Sequence, residues 1–144
     1  MTPVKKTGIK RHTGVDIPGL PHVVTLTTAD VTDRDGAVRM ISRYCDATDY
    51  LDLLKKVMTD GGYTGEKFAE AVKSVCGAEV EVVKRNELHT FKALPKRWIV
   101  ERTFGWLDKC RRLWKNCERL LHKSLQIISL AFIRPALGEI LNRL

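Results

Sequence analysis

Apolar and polar residues alternate early in the chain and recur at helical spacing later. His12 to Ile17 and His22 to Ala29 (HVVTLTTA) alternate as strands do, with Pro18, Gly19 and Pro21 between them, which predicts a β-hairpin. Asp30 to Asp35, DVTDRD, is a turn rich in helix-capping residues. Ala37, Met40, Ile41 and Tyr44 then share one face of a predicted helix from Gly36 to Cys45. An acidic connector, Asp46 to Asp52, leads into a strand over Leu53 to Met58. Asp60 then falls at or just past the strand's C-terminal edge, where open α/β sheets bind ligands. Glu66 to Cys76 is amphipathic, with Phe68, Ala71, Val72 and Val75 inward and Gly77 as its C-cap. Glu79 to Val83 (EVEVV) reads as a strand and Lys84 to Lys92 as a polar connector.

A further helical signal covers Phe91 to Leu113, FKALPKRWIVERTFGWLDKCRRL. Pro95 sits just inside its start, and Val100, Phe104 and Leu107 form an apolar stripe extended by Trp98 and Trp114. Leu120 to Leu144 is also helical, with Leu121, Leu125, Ile128, Phe132, Leu137, Ile140 and Leu141 as its apolar side. The Arg134-Pro135 pair is expected to bend or divide it. The order β-β-α-β-α-β-α-α predicts an α/β domain, a mixed sheet flanked by helices, over residues 12–144, preceded by a basic arm over residues 1–11.

Charge changes this picture. The chain has 144 residues, with 25 Lys plus Arg against 17 Asp plus Glu, a net charge of +8. Between Lys92 and Lys123 there are ten Lys or Arg and three acids, Glu101, Asp108 and Glu118. The first fourteen residues hold Lys5, Lys6, Lys10 and Arg11 and no acid. Basic flanks around a more acidic centre fit a protein that holds phosphates around a metal site. The four cysteines, 45, 76, 110 and 117, have no metal-ligand spacing and read as reduced thiols of a cytosolic protein. No signal-peptide pattern is present, and the apolar run Leu125 to Leu137 is too short to span a bilayer, so a cytoplasmic location away from membranes is expected.

Two acids are candidates for chemistry, and each has an ordinary explanation. Asp60 opens Asp-Gly-Gly, a common turn former. Glu101 lies among the cations of its helix, where it can simply pair with Arg97 four residues earlier. Their surroundings change the weighting. MTDGGYTG (Met58 to Gly65) and PKRWIVERTFGWLDKCRRL (Pro95 to Leu113) resemble, in order and separation, two signature blocks of bacterial insertion-sequence transposases of the DDE type. The resemblance runs from Lys10 to about Leu144. It implies a ribonuclease H-like fold, DNA as partner, and metal-dependent phosphodiester hydrolysis and strand transfer at the ends of an insertion sequence. Asp60 and Glu101 would be the second and third acids of an Asp-Asp-Glu triad that holds Mg²⁺ (or Mn²⁺). Arg97, Arg102, Lys109, Arg111 and Arg112 would face DNA phosphates. Asp108 stands where the family often has a basic residue, with Lys109 next to it, and Leu94 where it often has tyrosine.

The first acid of that triad is the open question. In the family it lies on the first strand, ahead of the block that resembles GIKRHTGVDIPGLP, and MTPVKKTGIK contains no Asp or Glu. The chain is therefore expected to lack its first strand, as an N-terminally truncated or decayed transposase or half of a split reading frame. The competing alignment makes Asp16 the first acid. A catalytically inactive DNA-binding remnant, associating with itself or with an intact transposase, is the alternative function; an unrelated RNA-binding module is a third. Trp98 and Trp106 suit either base stacking or core packing, and core packing is preferred because both flank an apolar stripe.

Overall fold

The computed structural model describes residues 8–47, 54–83, 97–113, 118 and 120–141. Strands β1 (Ile9–Val15) and β2 (Pro21–Thr28) form an antiparallel hairpin, in register from Ile9↔Thr28 to Val15↔Pro21 with an irregularity at Gly14/Val15. Three of the eleven residues assigned to a basic arm, Ile9 to Arg11, therefore belong to β1; residues 1–7 lie outside the described residues. Helix α1 (Asp33–Ala47) starts at a reciprocal cap. The Asp35 N–H donates to Thr32 Oγ1 (3.1 Å), and that hydroxyl donates to Asp35 Oδ2 (2.7 Å).

Strand β3 (Lys56–Asp60), helix α2 (Glu66–Cys76) and strand β4 (Glu79–Val83) form a parallel βαβ unit, paired from Lys56↔Glu79 to Asp60↔Val83. Gly77 ends α2 in the left-handed conformation (φ 70°), its N–H donating to Lys73 O at 2.8 Å, as its sequence predicts. Asp60 is the last residue of β3.

Helices α3 (Arg97–Asp108) and α4 (Leu121–Leu141) complete the described chain. The predicted start of α3 at Pro95, the Asp46 to Asp52 connector beyond Ala47 and the Lys84 to Lys92 connector lie outside the described residues. The apolar stripe of α3 is rotated one position from the predicted one. Ile99, Thr103 and Leu107 are buried, whereas Val100 and Phe104 are 39% and 36% exposed. Trp98, expected in the core, is 55% exposed, and Trp106 is half-buried. Helix α4 runs through Pro135 without dividing. It buries Ser124, Ile128 and Phe132 and leaves Leu121, Leu137 and Leu141 exposed, so its expected apolar side is only partly inward. No described helix is long and apolar enough to cross a membrane.

The hairpin is the middle of three layers. Successive residues of β2 face opposite ways. Val23 reaches the cluster of Ala37, Met40 and Ile41 from α1 with Phe68 and Val72 from α2. Val24 and Leu26 reach the other cluster, formed by Leu107, Leu113, Ile128 and Phe132. Val57 of β3 and Val80 of β4 pack on the first cluster too, so both sheets lie against α1 and α2.

The predicted single mixed sheet is replaced by two separate two-stranded sheets. Among the described residues no strand joins β1 to β3, and pairing stops at each edge. The hydroxyls of Thr13 on β1 and Thr59 on β3 are buried with no hydrogen-bond partner among those residues.

His12 is buried against α1, where a side chain at Gly36 would have its Cβ 2.3 Å from the imidazole. Its Nε2 pairs with Thr27 Oγ1 at 2.9 Å. Burial lowers the His12 pKa; Asp33 opposes that shift and Lys10 adds to it. The unfolded chain therefore binds more protons near the ordinary histidine value of about 6.5, so stability rises with pH. Stability is expected to be fully present above that value and to fall as pH drops through it. Urea denaturation at pH about 5.5 and about 7.5 checks this, and His12→Gln should remove that part of the pH slope.

Candidate active site

Asp60 ends β3 and caps the single 3₁₀ turn Gly61–Tyr63, its Oδ1 accepting from the Gly62 N–H at 2.9 Å. Helix α1 holds the same turn from outside, through Arg34 Nε donating to Gly62 O at 3.1 Å. Tyr63 tilts against Phe68, ring centroids 5.4 Å apart. Burial first, then the Asp33 and Asp60 carboxylates, raise the pKa of its phenol. The turn-forming role of Asp60 is thus realised by one carboxylate oxygen. The other has no hydrogen bond among the described residues, and the side chain is exposed. Arg34 escaped sequence reasoning, because nothing local links it to a turn 28 residues away.

Glu101 lies in the second turn of α3, exposed. The two residues after it fix that helix to the hairpin turn. Thr103 Oγ1 lies 2.8 Å from Gly19 O and 3.0 Å from Ile99 O, and Arg102 Nη2 donates to Pro18 O. The Arg102 guanidinium also sits 4.6 Å from the Trp98 ring and 5.3 Å from the Trp106 ring. Gly19 (φ 87°) has no room for a side chain, since its Cβ would lie 2.6 Å from Arg102.

The turn that receives α3 is organised by Asp16. Its Oδ1 accepts from the Leu20 N–H at 2.7 Å, its Oδ2 pairs with His22 Nε2 at 3.2 Å, and its carbonyl accepts from the Gly19 N–H at 2.9 Å. Of the competing first acid's two carboxylate oxygens, one serves the turn and the other pairs with His22 of β2.

The remaining basic candidates divide. Lys109 is exposed just beyond α3; Arg112 is exposed and paired with Glu118 at 3.0 Å. Arg97 opens α3 and Arg111 opens the 3₁₀ turn Arg111–Leu113, and their side chains lie outside the described residues. Arg102 is half-buried and engaged with Pro18 O and the two indoles.

Asp60 and Glu101 are positioned by different layers. Asp60 belongs to the α1–α2 side, whereas α3 packs on β1, α4 and the Arg111–Leu113 turn. Among the described residues no three His, Cys, Asp or Glu side chains are gathered for a metal ion. As donors, the two exposed carboxylates are of the type a hard divalent cation takes.

The α/β fold thus places one carboxylate at the C-terminal end of a parallel strand and a second on the exposed side of α3. The family model for the transposase DDE domain matches residues 3–134. The chain belongs to this family. It is 31% identical over 118 residues to a Burkholderia cepacia protein named as a transposase for insertion sequence element IS402. That alignment covers 79% of this chain and 56% of the relative, so the chain spans about half of the relative's length. No solved structure matches.

The Arg102 contacts predict a stability effect rather than a DNA effect. Arg102→Ala is expected to cost roughly 2 kcal/mol in urea unfolding, from a lost charged hydrogen bond and two lost ring contacts. Arg102→Lys should recover little of it, because the planar fork is what fits. The salt dependence of DNA binding should be unchanged in Arg102→Ala; a shallower log–log slope, by about 0.9, would mean a phosphate contact instead.

Proposed function

We propose that this chain is part of a DDE transposase catalytic domain, acting on insertion-sequence ends by metal-dependent hydrolysis and strand transfer. The observation that carries the reading is Asp60: an exposed carboxylate, fixed at a strand end by Gly62 and indirectly by Arg34, inside the family's match. Asp60 and Glu101 would hold Mg²⁺ or Mn²⁺. When bound, such ions activate the attacking oxygen and stabilise the leaving one in an in-line displacement. Gly62 and Arg34 orient the Asp60 carboxylate; Thr103 and Arg102 set the helix that presents Glu101. Lys109 and Arg112, with Arg97 and Arg111, would position DNA phosphates.

In this reading the fold is ribonuclease H-like, and the first acid lies on a strand that the described residues do not supply, placed between β1 and β3. Support comes from the two sheets lying against the same helices and from the unpartnered hydroxyls of Thr13 and Thr59 along the two strands. Asp16 is set aside as that acid because its oxygens are engaged at the hairpin, by the Leu20 N–H and by His22. The unpaired edges of β1 and β3 also favour association with a second copy or with an intact transposase.

Duplex DNA carrying the element's terminal repeats tests the reading. Binding is expected to weaken steeply with salt and to survive Asp60→Asn and Glu101→Gln. Mn²⁺-dependent nicking is expected to drop on the order of a thousandfold or more in either variant. Asn at position 60 keeps the acceptor for the Gly62 N–H, so its effect reports the charge rather than the turn. Salt-sensitive binding without nicking in either metal would replace the catalytic reading with that of an inactive DNA-binding remnant.

A further inference from the structure

We propose that Cys45 and Cys76 are a modification site, a thiol pair that closes to a reversible disulfide joining the last turns of α1 and α2. Cys45 lies two residues from the end of α1 and Cys76 is the last residue of α2. Both are free and half-buried, and both pack on the cluster of Ala37, Met40, Ile41, Phe68 and Val72. Each follows a buried residue of that cluster by one helical turn, Ile41 on α1 and Val72 on α2, and Cys76 Sγ donates to Val72 O at 3.2 Å. Half-buried cysteines ordinarily act as small apolar side chains. Two thiols set on one cluster, at the last turns of helices that pack together, are placed to close an S–S bond of about 2.05 Å. The third described cysteine, Cys110, packs on the other cluster, with Leu107 and Ile128.

The chemistry balances with a hydroperoxide as oxidant. One sulfur, as thiolate, attacks a peroxide oxygen; the O–O bond breaks, giving a sulfenic acid, and the departing oxygen leaves as water. The second sulfur then displaces hydroxide from the sulfenic sulfur, the S–O bond breaks, the S–S bond forms, and its proton leaves with that hydroxide as a second water. Two thiols lose two electrons and two protons, and hydrogen peroxide becomes two waters. Burial, and then the neighbouring Cys76, raise the pKa of the Cys45 thiol, so the dithiol is the resting form and oxidation quickens as pH rises. The ring so closed runs from Cys45 to Cys76 and contains β3, Asp60 and its turn. Cross-linking this segment restricts the unfolded chain and so stabilises the fold around Asp60. The site does not depend on the DNA reading.

The test uses the full chain, freed of reductant, treated with stoichiometric hydrogen peroxide, alkylated and digested with trypsin without reduction. The expected product is the peptide Tyr44–Lys55 joined to Ser74–Lys84, from a monomer lighter by two hydrogens. The oxidised protein should unfold at higher urea than the reduced one, and dithiothreitol should reverse both changes. Cys45→Ser and Cys76→Ser should lose the linked peptide, and Cys110→Ser should keep it. A link through Cys110 or Cys117, a link between chains, or an unchanged or lower urea midpoint after oxidation overturns the proposal.

Discussion

Two backbone carbonyls, Pro18 O and Gly19 O, determine where the helix bearing Glu101 can lie. Both sit in a hairpin turn whose own donors are satisfied by Asp16, which leaves these oxygens facing α3. A buried carbonyl must find a donor. Thr103 and Arg102 supply the donors, and the two indoles flanking Arg102 hold the guanidinium in place. Glu101 is the residue just before this pair. Its outward direction follows from Thr103 pointing into the hairpin, because neighbouring residues on a helix face different ways. Arg102 and Thr103 thus set the direction of the acid.

Asp60 is positioned by the same logic on the opposite layer. A strand end, a tight turn and one arginine from α1 converge on Gly62, whose N–H and carbonyl are both engaged. The chain turns away at once in a single 3₁₀ turn, so the carboxylate stays exposed at the sheet's end. Turn former and ligand candidate are compatible, since a carboxylate has more acceptor positions than one amide N–H occupies.

What the sequence made legible was local. Helix α2 with its Gly77 cap, strand β4, the hairpin and the place of Asp60 all follow from periodicity and turn chemistry within a dozen residues. The misreadings involve partners far away in the chain. The buried face of α3 was assigned to Val100 and Phe104 because apolarity was the guide, whereas Thr103 is buried through a bond to Gly19. The division at Pro135 did not follow, because the helix continues past a residue that removes only one donor. Of the candidate site, Asp60 and Glu101 were legible through two short motifs. The contacts of Arg34, Arg102 and Asp16 with backbone atoms were not, because a backbone atom carries no side-chain signature.

The hairpin therefore does more than fill space between two helical layers. Its α1-facing side is tied down by His12, set against Gly36 with no room for a methyl group, and by Val23 in the first cluster. Its other side receives Val24 and Leu26 in the second cluster, and its turn receives α3. Asp60 is anchored to the first layer and Glu101 to the second, so the separation of the two acids passes through the packing of one two-stranded sheet. Close-packed interiors transmit small displacements instead of absorbing them. Substitutions at His12, Gly19 or Gly36, none of them acidic, would therefore shift one acid relative to the other.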